Sequence, residues 1–571
     1  MIIDIKATAF SRYGAYVALL ERNRKSLSVE WAMRQGNDTC TYNINFVFNG
    51  KIITPQFEAC YSHVTVKYKD AVCRIAVKND TMFSIESYGL DIIFAPKDYM
   101  SGNIYSVQYS DGHFEVVSFS GYYASFIPFS GTAMLKALPL PKFRRSEKKL
   151  INRNCLYVTG AGEPIKYLFN LSEEQILPSE YEFDIDKDIN DASEEFEAFL
   201  SKMPKVLDKH SEFAELTWYN LWSCTVRKSK EYTADAILMS KTDMTAVWSW
   251  DHCFNALAVA GSDFKFGLNQ FLLPFALQCE NGCLPDAFGY NRRALYGIVK
   301  PPIHGWCFNK LMDMNENIPE DVLSDVFIKL SKQLRWWLNY RDSDGDGIPD
   351  YPQGCDSGLD NSSVFALGAH FIESPDLPAY LLLQYKALIR IAKKLGYVQQ
   401  SETLKDEFER FKKKYYEHSY TENGFYSLKS GDHTFNEKSM SVISILPLVL
   451  GEELENEKRR VLISQLKENY LTEYGIASES PKSRYYKSEG YWLGPVWAPT
   501  TYLIVDGLMR AGERSLALDI AERYINLVDN KAKGNYENFD ALKGRGLCVK
   551  GHSWTASVTM LLLHLIYESA Q

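Results

Sequence analysis

From about residue 10 to 185, apolar and polar residues roughly alternate in short runs. TCTYNINFVFNG (39–50), HVTVKYKD (63–70), AVCRIAVKND (71–80) and GHFEVVSFSG (112–121) are rich in β-branched and aromatic residues, and Asn-Gly, Lys-Asp or Asp-Gly turns bound them. Period-two runs at such short intervals predict an antiparallel β-sandwich. Near Ser193–Asp208 (SEEFEAFLSKMPKVLD) the period lengthens to that of a charged amphipathic helix, and helical spacing then continues to the C-terminus. VLSDVFIKLSKQLRWWLNYR, LPAYLLLQYKALIRIAKKLG, TLKDEFERFKKKYYEHS, SLALDIAERYINLVD and SWTASVTMLLLHLIYES are its clearest helices. The expected organisation is a β-sandwich over 1–190, a helical linker over 191–231 and a helical domain over 232–571. About twelve helix candidates follow Tyr232, in pairs with turn-rich connections and no visible solenoid repeat. A closed ring of about six helical hairpins fits that count.

Length and composition narrow the function. A chain of 571 residues, 46% hydrophobic and 24% charged, is globular and long enough for several domains. A net charge of −9 gives no electrostatic case for nucleic acid or an anionic membrane. No apolar run reaches the roughly 18–20 residues of a membrane span, and the N-terminus does not read as a signal peptide. The eleven cysteines are odd in number and scattered, without a zinc-type CxxC pair, so a reducing cytoplasm is expected. Aromatic residues make up 14% of the chain, and ten of the eleven Trp lie beyond residue 190.

Those aromatics recur beside acids in segments that interrupt helices: AVWSWDHCFN (246–255), QCENGCLPDAFGYN (278–291), RDSDGDGIPDY (341–351), GCDSGLDNSS (354–363), YWLGPVWAPTTY (491–502) and GNYENFDALKGRG (534–546). Sugar rings stack their C–H faces on aromatic rings and present hydroxyl edges to fixed donors and acceptors, so this pairing suits a sugar site. Glycoside cleavage needs two carboxyl groups across the scissile bond. Asp251, Asp286, Asp356, Asp360 and Glu537 are candidates, and spacing alone does not choose among them.

Four of the stretches, SGLDNS (357–362), YWLGPVW (491–497), WSWDHCFNALAV (248–259) and YENFDALKGRG (536–546) followed by HSWTAS, resemble glycoside hydrolase family 63 and, more distantly, the trehalases. The resemblance covers roughly residues 240–571. It implies an (α/α)6 barrel preceded by an antiparallel β-sandwich, and an inverting, exo-acting α-glucosidase acting on a small oligosaccharide or glucoside. By position, Asp360 would be the general acid and Glu537 the general base. Asp251, Trp248 and Trp250 would hold the terminal sugar, Gln278, Asp286, Trp492 and Trp497 would complete the wall, and Asp356 would be a supporting or purely structural acid. Many relatives have Arg where this chain has Leu493, and Pro-Arg where it has Ser363-Val364. A phosphorylase or a non-catalytic sugar-binding protein on the same barrel stays open as an alternative.

DSDGDGIPD is a separate signal. Asp342, Asp344 and Asp346, then Gly347 and the carbonyl of Ile348, follow the start of an EF-type calcium loop, but Gln353 stands where the loop's bidentate Glu would be. The resemblance implies a structural calcium here with a further acid from elsewhere, for which Asp350 and Glu373 are the candidates.

Overall fold

The computed structural model describes residues 1–33, 40–97, 104–118, 121–141, 150–290, 293–368, 370–435 and 438–571. The chain divides into two compact units, 1–203 with 218–245 and 204–217 with 246–571, so the stretch 191–231 is shared between them.

In the first unit the alternating runs become strands. His63–Tyr68 buries Val64 and Val66 while their neighbours stay partly or fully exposed, the burial pattern of a strand with one face in the core. One antiparallel sheet has the order Val17–Asn23, Ser26–Trp31, Cys40–Phe48, Asp91–Pro96, Leu150–Thr159, Thr132–Pro141, with Lys51–Ile52 alongside Cys40–Phe48. The other runs Ile104–Gln108, Phe114–Ser118, Tyr122–Ser130, Ile165–Ser172, Met82–Tyr88, Ala71–Val77, His63–Tyr68, Gln56–Ala59. They pack face to face through aromatic rings: Phe94 meets Phe126 at 4.9 Å and Tyr42 meets Phe169 at 5.5 Å, each pair joining the two sheets. The expected β-sandwich is therefore present. The charged helix runs over Ile185–Leu200, starting and ending earlier than its pattern suggests. Asp184 caps it by accepting the Lys187 N–H at 2.9 Å, and Pro204, with no N–H to give, bars its extension.

In the second unit six segments pack in succession: Asp251–Ala260 on His304–Met314, then Asp376–Lys394, then the 3-10 segment Val442–Glu453, then Ala498–Arg510, then Ser553–Ala570. The last returns to the first, so the ring closes. Phe264–Leu272, Glu320–Tyr340, Val398–Ser419, Asn456–Gln465 and Arg514–Ile525 alternate with these along the chain and pack against them. Burial follows this division. Every residue of Asp251–Ala260 is buried, whereas Glu320–Tyr340 buries one stripe, Leu323, Val326, Leu330, Leu334 and Trp337, as a helix does with one face to water. Pro447 inside Val442–Glu453 removes a backbone donor, which suits the tighter 3-10 winding there. Among the described residues, no helix is long and apolar enough to cross a membrane.

Candidate active site

The connections of the second unit bring the acid-bearing segments together. Val247–Trp248 pairs with Ala287–Phe288, and the Ser249 N–H donates to the Asp286 carbonyl at 3.1 Å, which sets WSWD beside PDAF. Asp251 then opens its helix, where a carboxylate meets the positive end of the helix dipole. Between these acids lies Lys300, a residue the motifs do not mark. Its Nζ is 3.3 Å from Asp286 Oδ1 and 3.6 Å from Asp360 Oδ1, and it donates to the Cys355 carbonyl at 2.9 Å. Asp356 accepts the Val299 N–H at 2.8 Å, next to that lysine in the chain.

The GCDSGLD stretch is a short 3-10 turn, Gly354–Ser357, followed by a left-handed Gly358. Two of its glycines are required sterically. A Cβ on Gly354 would lie 2.0 Å from the Asp360 carbonyl oxygen, and one on Gly358 (φ +71°) would lie 2.7 Å from the Trp250 ring. The backbone thus folds tightly against itself and against Trp250, and Asp360 projects from it with a third of its side chain exposed.

Asn361 links this turn to the YWLGPVW loop, accepting from the Trp492 N–H and donating to the Gly490 carbonyl, both at 2.9 Å. Between those two anchors Tyr491 donates its hydroxyl to Glu537 Oε1 at 2.9 Å, while the Val549 N–H reaches Glu537 Oε2 at 3.4 Å. Trp492 and Trp497 stack with centroids 3.8 Å apart. Trp554 bridges the remaining aromatics, edge-on to Trp497 at 5.6 Å and to Trp250 at 5.8 Å.

Electrostatics follow from this crowding. Burial raises the Asp360 carboxyl, and Asp286 adds to the rise while Lys300 opposes it. Burial also raises Glu537; Tyr491 and the Val549 N–H hold it down, and the charge of Asp360 pushes it up again. Asp251 is driven well above the carboxylate range, first by burial, with Lys300 opposing and Asp286 and Asp360 reinforcing. Burial alone would lower the Lys300 ammonium, but Asp360, Asp286 and Asp251 together carry it above the usual lysine range. Asp251 Oδ2 is buried without a hydrogen-bond partner, so it is an acceptor open to a hydroxyl donor.

Trp248 sits in the short strand next to Asp251, nearly buried, and its carbonyl is 3.2 Å from His252 Nδ1. Gln278 is set apart: its Nε2 donates to the carbonyls of Gly282 and Lys329, each at 3.0 Å, and so ties its loop to helix Glu320–Tyr340. Lys300 is the addition that comes from outside the motifs, and the parts of Tyr491 and Trp554, which stand in YWLGPVW and HSWTAS, come from three-dimensional proximity.

A second cluster surrounds the DSDGDG loop. The Gly347 N–H donates to Asp342 at 2.9 Å, the Asp346 N–H to Asp344 at 3.1 Å, and the Ile348 N–H to Asp346 at 2.7 Å. Asp350 Oδ2 accepts from Ser343 N–H at 3.0 Å. Buried oxygens of three of the expected ligands, Asp342 Oδ1, Asp350 Oδ1 and Glu373 Oε1, accept no hydrogen bond. Such orphaned carboxylate oxygens are costly unless a cation satisfies them, so the acid set fits a hard divalent ion.

The family model for the mannosylglycerate hydrolase MGH1-like glycoside hydrolase domain matches residues 244–555. The chain is 20% identical over 402 residues to mannosylglycerate hydrolase MGH2 of Selaginella moellendorffii, covering 55% of this chain and 80% of the relative. It is 22% identical over 392 residues to the mannosylglycerate hydrolase of Thermus thermophilus, covering 55% and 93%. A bacterial glucoamylase solved with acarbose shares the fold over 99% of this chain and 94% of its own, with a TM-score of 0.68 at 10% identity. With more than half its length matched by that family model, the chain belongs to the MGH1-like enzymes of glycoside hydrolase family 63.

Proposed function

We propose that the protein is an inverting, exo-acting α-glucosidase, and that its helical unit is an (α/α)6 barrel. The closed ring of six segments with a second set packed against it supports the barrel. What carries the chemical reading is the linkage of Asp360 to Glu537: Asn361 ties the Asp360 turn to both sides of Tyr491, and Tyr491 grips Glu537. Asp360 gives its proton to the glycosidic oxygen. Glu537 takes a proton from the water that attacks the anomeric carbon on the opposite face, and an inverting pair stands about 6.5–9.5 Å apart to admit that water. Burial raises both carboxyls; two donors on Glu537 oppose that rise, as a base requires, while at Asp360 the charge of Asp286 adds to it against Lys300. Asp251 Oδ2 receives a hydroxyl of the terminal sugar, and Trp250, Trp492 and Trp497 form apolar walls.

The substrate in this reading is a terminal α-linked glucose on a small oligosaccharide or glucoside. Mannosylglycerate is the second reading, supported by the names of the relatives. Glucose and mannose differ only at the C2 hydroxyl, but glycerate adds a carboxylate that needs a cation, and Lys300 is already matched by Asp286 and Asp360. A structural divalent ion, calcium in this reading, would be held by Asp342, Asp344, Asp346, Asp350, Glu373 and the Ile348 carbonyl. It would neutralise clustered acids and brace the loop before Asp360, with no part in bond cleavage. The reducing cytoplasm as location is supported by the free state of all eleven cysteines.

The test is proton NMR of the first product from α-glucosides and mannosylglycerate, with and without phosphate. An initial β-anomer supports the proposal. An initial α-anomer would mean retention and refute Glu537 as a base acting through water. A sugar phosphate would move the activity to the phosphorylases.

A further inference from the structure

The acid loop meets two imidazoles that no calcium-loop pattern includes. His418 ends helix Val398–Ser419, and His433 lies in the turn after strand Leu428–Lys429, which pairs with Ile372–Glu373. His418 Nε2 is 2.7 Å from Glu373 Oε2, and its Nδ1 is 3.2 Å from Asp346 Oδ2. His433 Nε2 is 3.8 Å from both Asp346 Oδ2 and Glu373 Oε2, and 3.2 Å from Asp344 Oδ2. Ligand atoms of Asp346, Glu373, His418 and His433 all lie within 4.8 Å of one another. Four donors around a tetrahedral ion with bonds of about 2.1 Å would be about 3.4 Å apart, so only small side-chain shifts separate this arrangement from a coordination shell. Glu373 is wholly buried, and its Oε1 has no hydrogen-bond partner, so a buried carboxylate oxygen beside the imidazoles is open to a cation.

We infer that Asp346, Glu373, His418 and His433 bind a borderline-soft dication of the zinc class, in competition with calcium on the neighbouring carboxylates. The chemistry of the donors decides between ions. Calcium takes six to eight oxygens, whereas imidazole with carboxylate suits zinc, cobalt or nickel. Asp346 and Glu373 belong to both ligand sets, so one ion disturbs the shell of the other. His418 offers one nitrogen to the ion and keeps the other as a donor to a carboxylate, the arrangement that fixes a ligating imidazole's tautomer. When the ion binds, the proton that links His418 to one of the acids is released to solvent. His433, less than half exposed, gives the ion a route from water. Four separate chain segments would then be cross-linked shortly before the turn that carries Asp360.

The experiment uses the full chain after chelator treatment, titrated with Co2+ or Zn2+ alone and then with Ca2+ present; binding and melting temperature are read, so the outcome does not depend on the hydrolase proposal. One Co2+ per chain is expected, with the intense visible spectrum of a four-coordinate site. His433→Ala and His418→Gln should each weaken Zn2+ by at least ~100-fold, more than the loss of an outer-shell partner, while sparing the Ca2+-dependent rise in melting temperature. Asp342→Asn should do the reverse. Absence of Co2+ and Zn2+ binding, or binding unchanged in both histidine variants, overturns the inference. Should those variants fail to fold, the wild-type Co2+ spectrum decides, and a weak, six-coordinate spectrum counts against the site.

Discussion

Lys300→Met removes a charge that opposes protonation of Asp360 at close range. At 3.6 Å, two unit charges interact by about 1 kcal/mol in water-like surroundings and by about 4–5 kcal/mol at an effective dielectric near 20. A third of the Asp360 side chain is exposed, so solvent screening keeps the effect in the lower half of that range, about 1–3 kcal/mol. At 1.36 kcal/mol per unit, the alkaline limb of the pH–rate profile should move by roughly 1–2 units. The sign is upward. Without the ammonium the ionised form of Asp360 loses its support, and the proton needed by a general acid stays on to higher pH. Lys300→Arg keeps the charge and should leave the limb near its wild-type position. The assay is kcat/KM against pH on any accepted substrate, with circular dichroism to confirm folding. An alkaline limb that stays put or moves down in Lys300→Met would refute the coupling of Lys300 to the general acid.

Asp360→Asn and Glu537→Gln should each lower turnover by at least ~100-fold with the melting temperature little changed, and wild-type rates in either would remove that residue from its role. Tyr491→Phe deletes a donor that favours ionised Glu537, so the acid limb should rise by about one pH unit, the worth of a hydrogen bond to a charged group. An acid limb unchanged in that variant would mean that another group sets it. Gly358→Ala places a methyl 2.7 Å from Trp250 at a φ of +71°, and should cost about 1–3 kcal/mol, visible as a lower melting temperature and weaker sugar binding. A variant as stable and active as wild type would mean that the turn can shift away from Trp250.

What the sequence made legible is what depends on local order. Period-two runs became strands such as His63–Tyr68, and Glu320–Tyr340 and Ser553–Ala570 stand within a few residues of the apolar patterns that announce them. Helix Ile185–Leu200 starts ahead of the charged stretch that marks it, and its first turns already carry Ile185, Ile189, Ala192 and Phe196 at helical spacing among acids. The acids also announced themselves, because Asp251, Asp360 and Glu537 each sit in a stretch whose Trp, Gly or Asn neighbours are unusual for a surface turn. Lys300 had no such company. YGIVKPPIHGW shows a single charge in a mostly apolar run, and its meaning comes only from Asp286 and Asp360 arriving from opposite sides in sequence. His418 is likewise an ordinary end to a charged helix until the chain folds it against Glu373. Gln278 marks the converse: a polar residue in an aromatic-rich loop whose amide nitrogen is engaged by two backbone carbonyls. Motifs expose groups carried on close-approach loops, where local composition must bend. They miss the charge-balancing partners, whose requirement is a sign and a distance that many local sequences can satisfy. In this site Lys300 is such a partner of Asp360, while Tyr491, which stands in YWLGPVW, plays the same part toward Glu537; each favours the ionised form of the carboxyl it faces and opposes the rise that burial causes. The pH profiles of their variants therefore test the division of labour more directly than loss of either carboxyl, which would abolish activity under almost any mechanism.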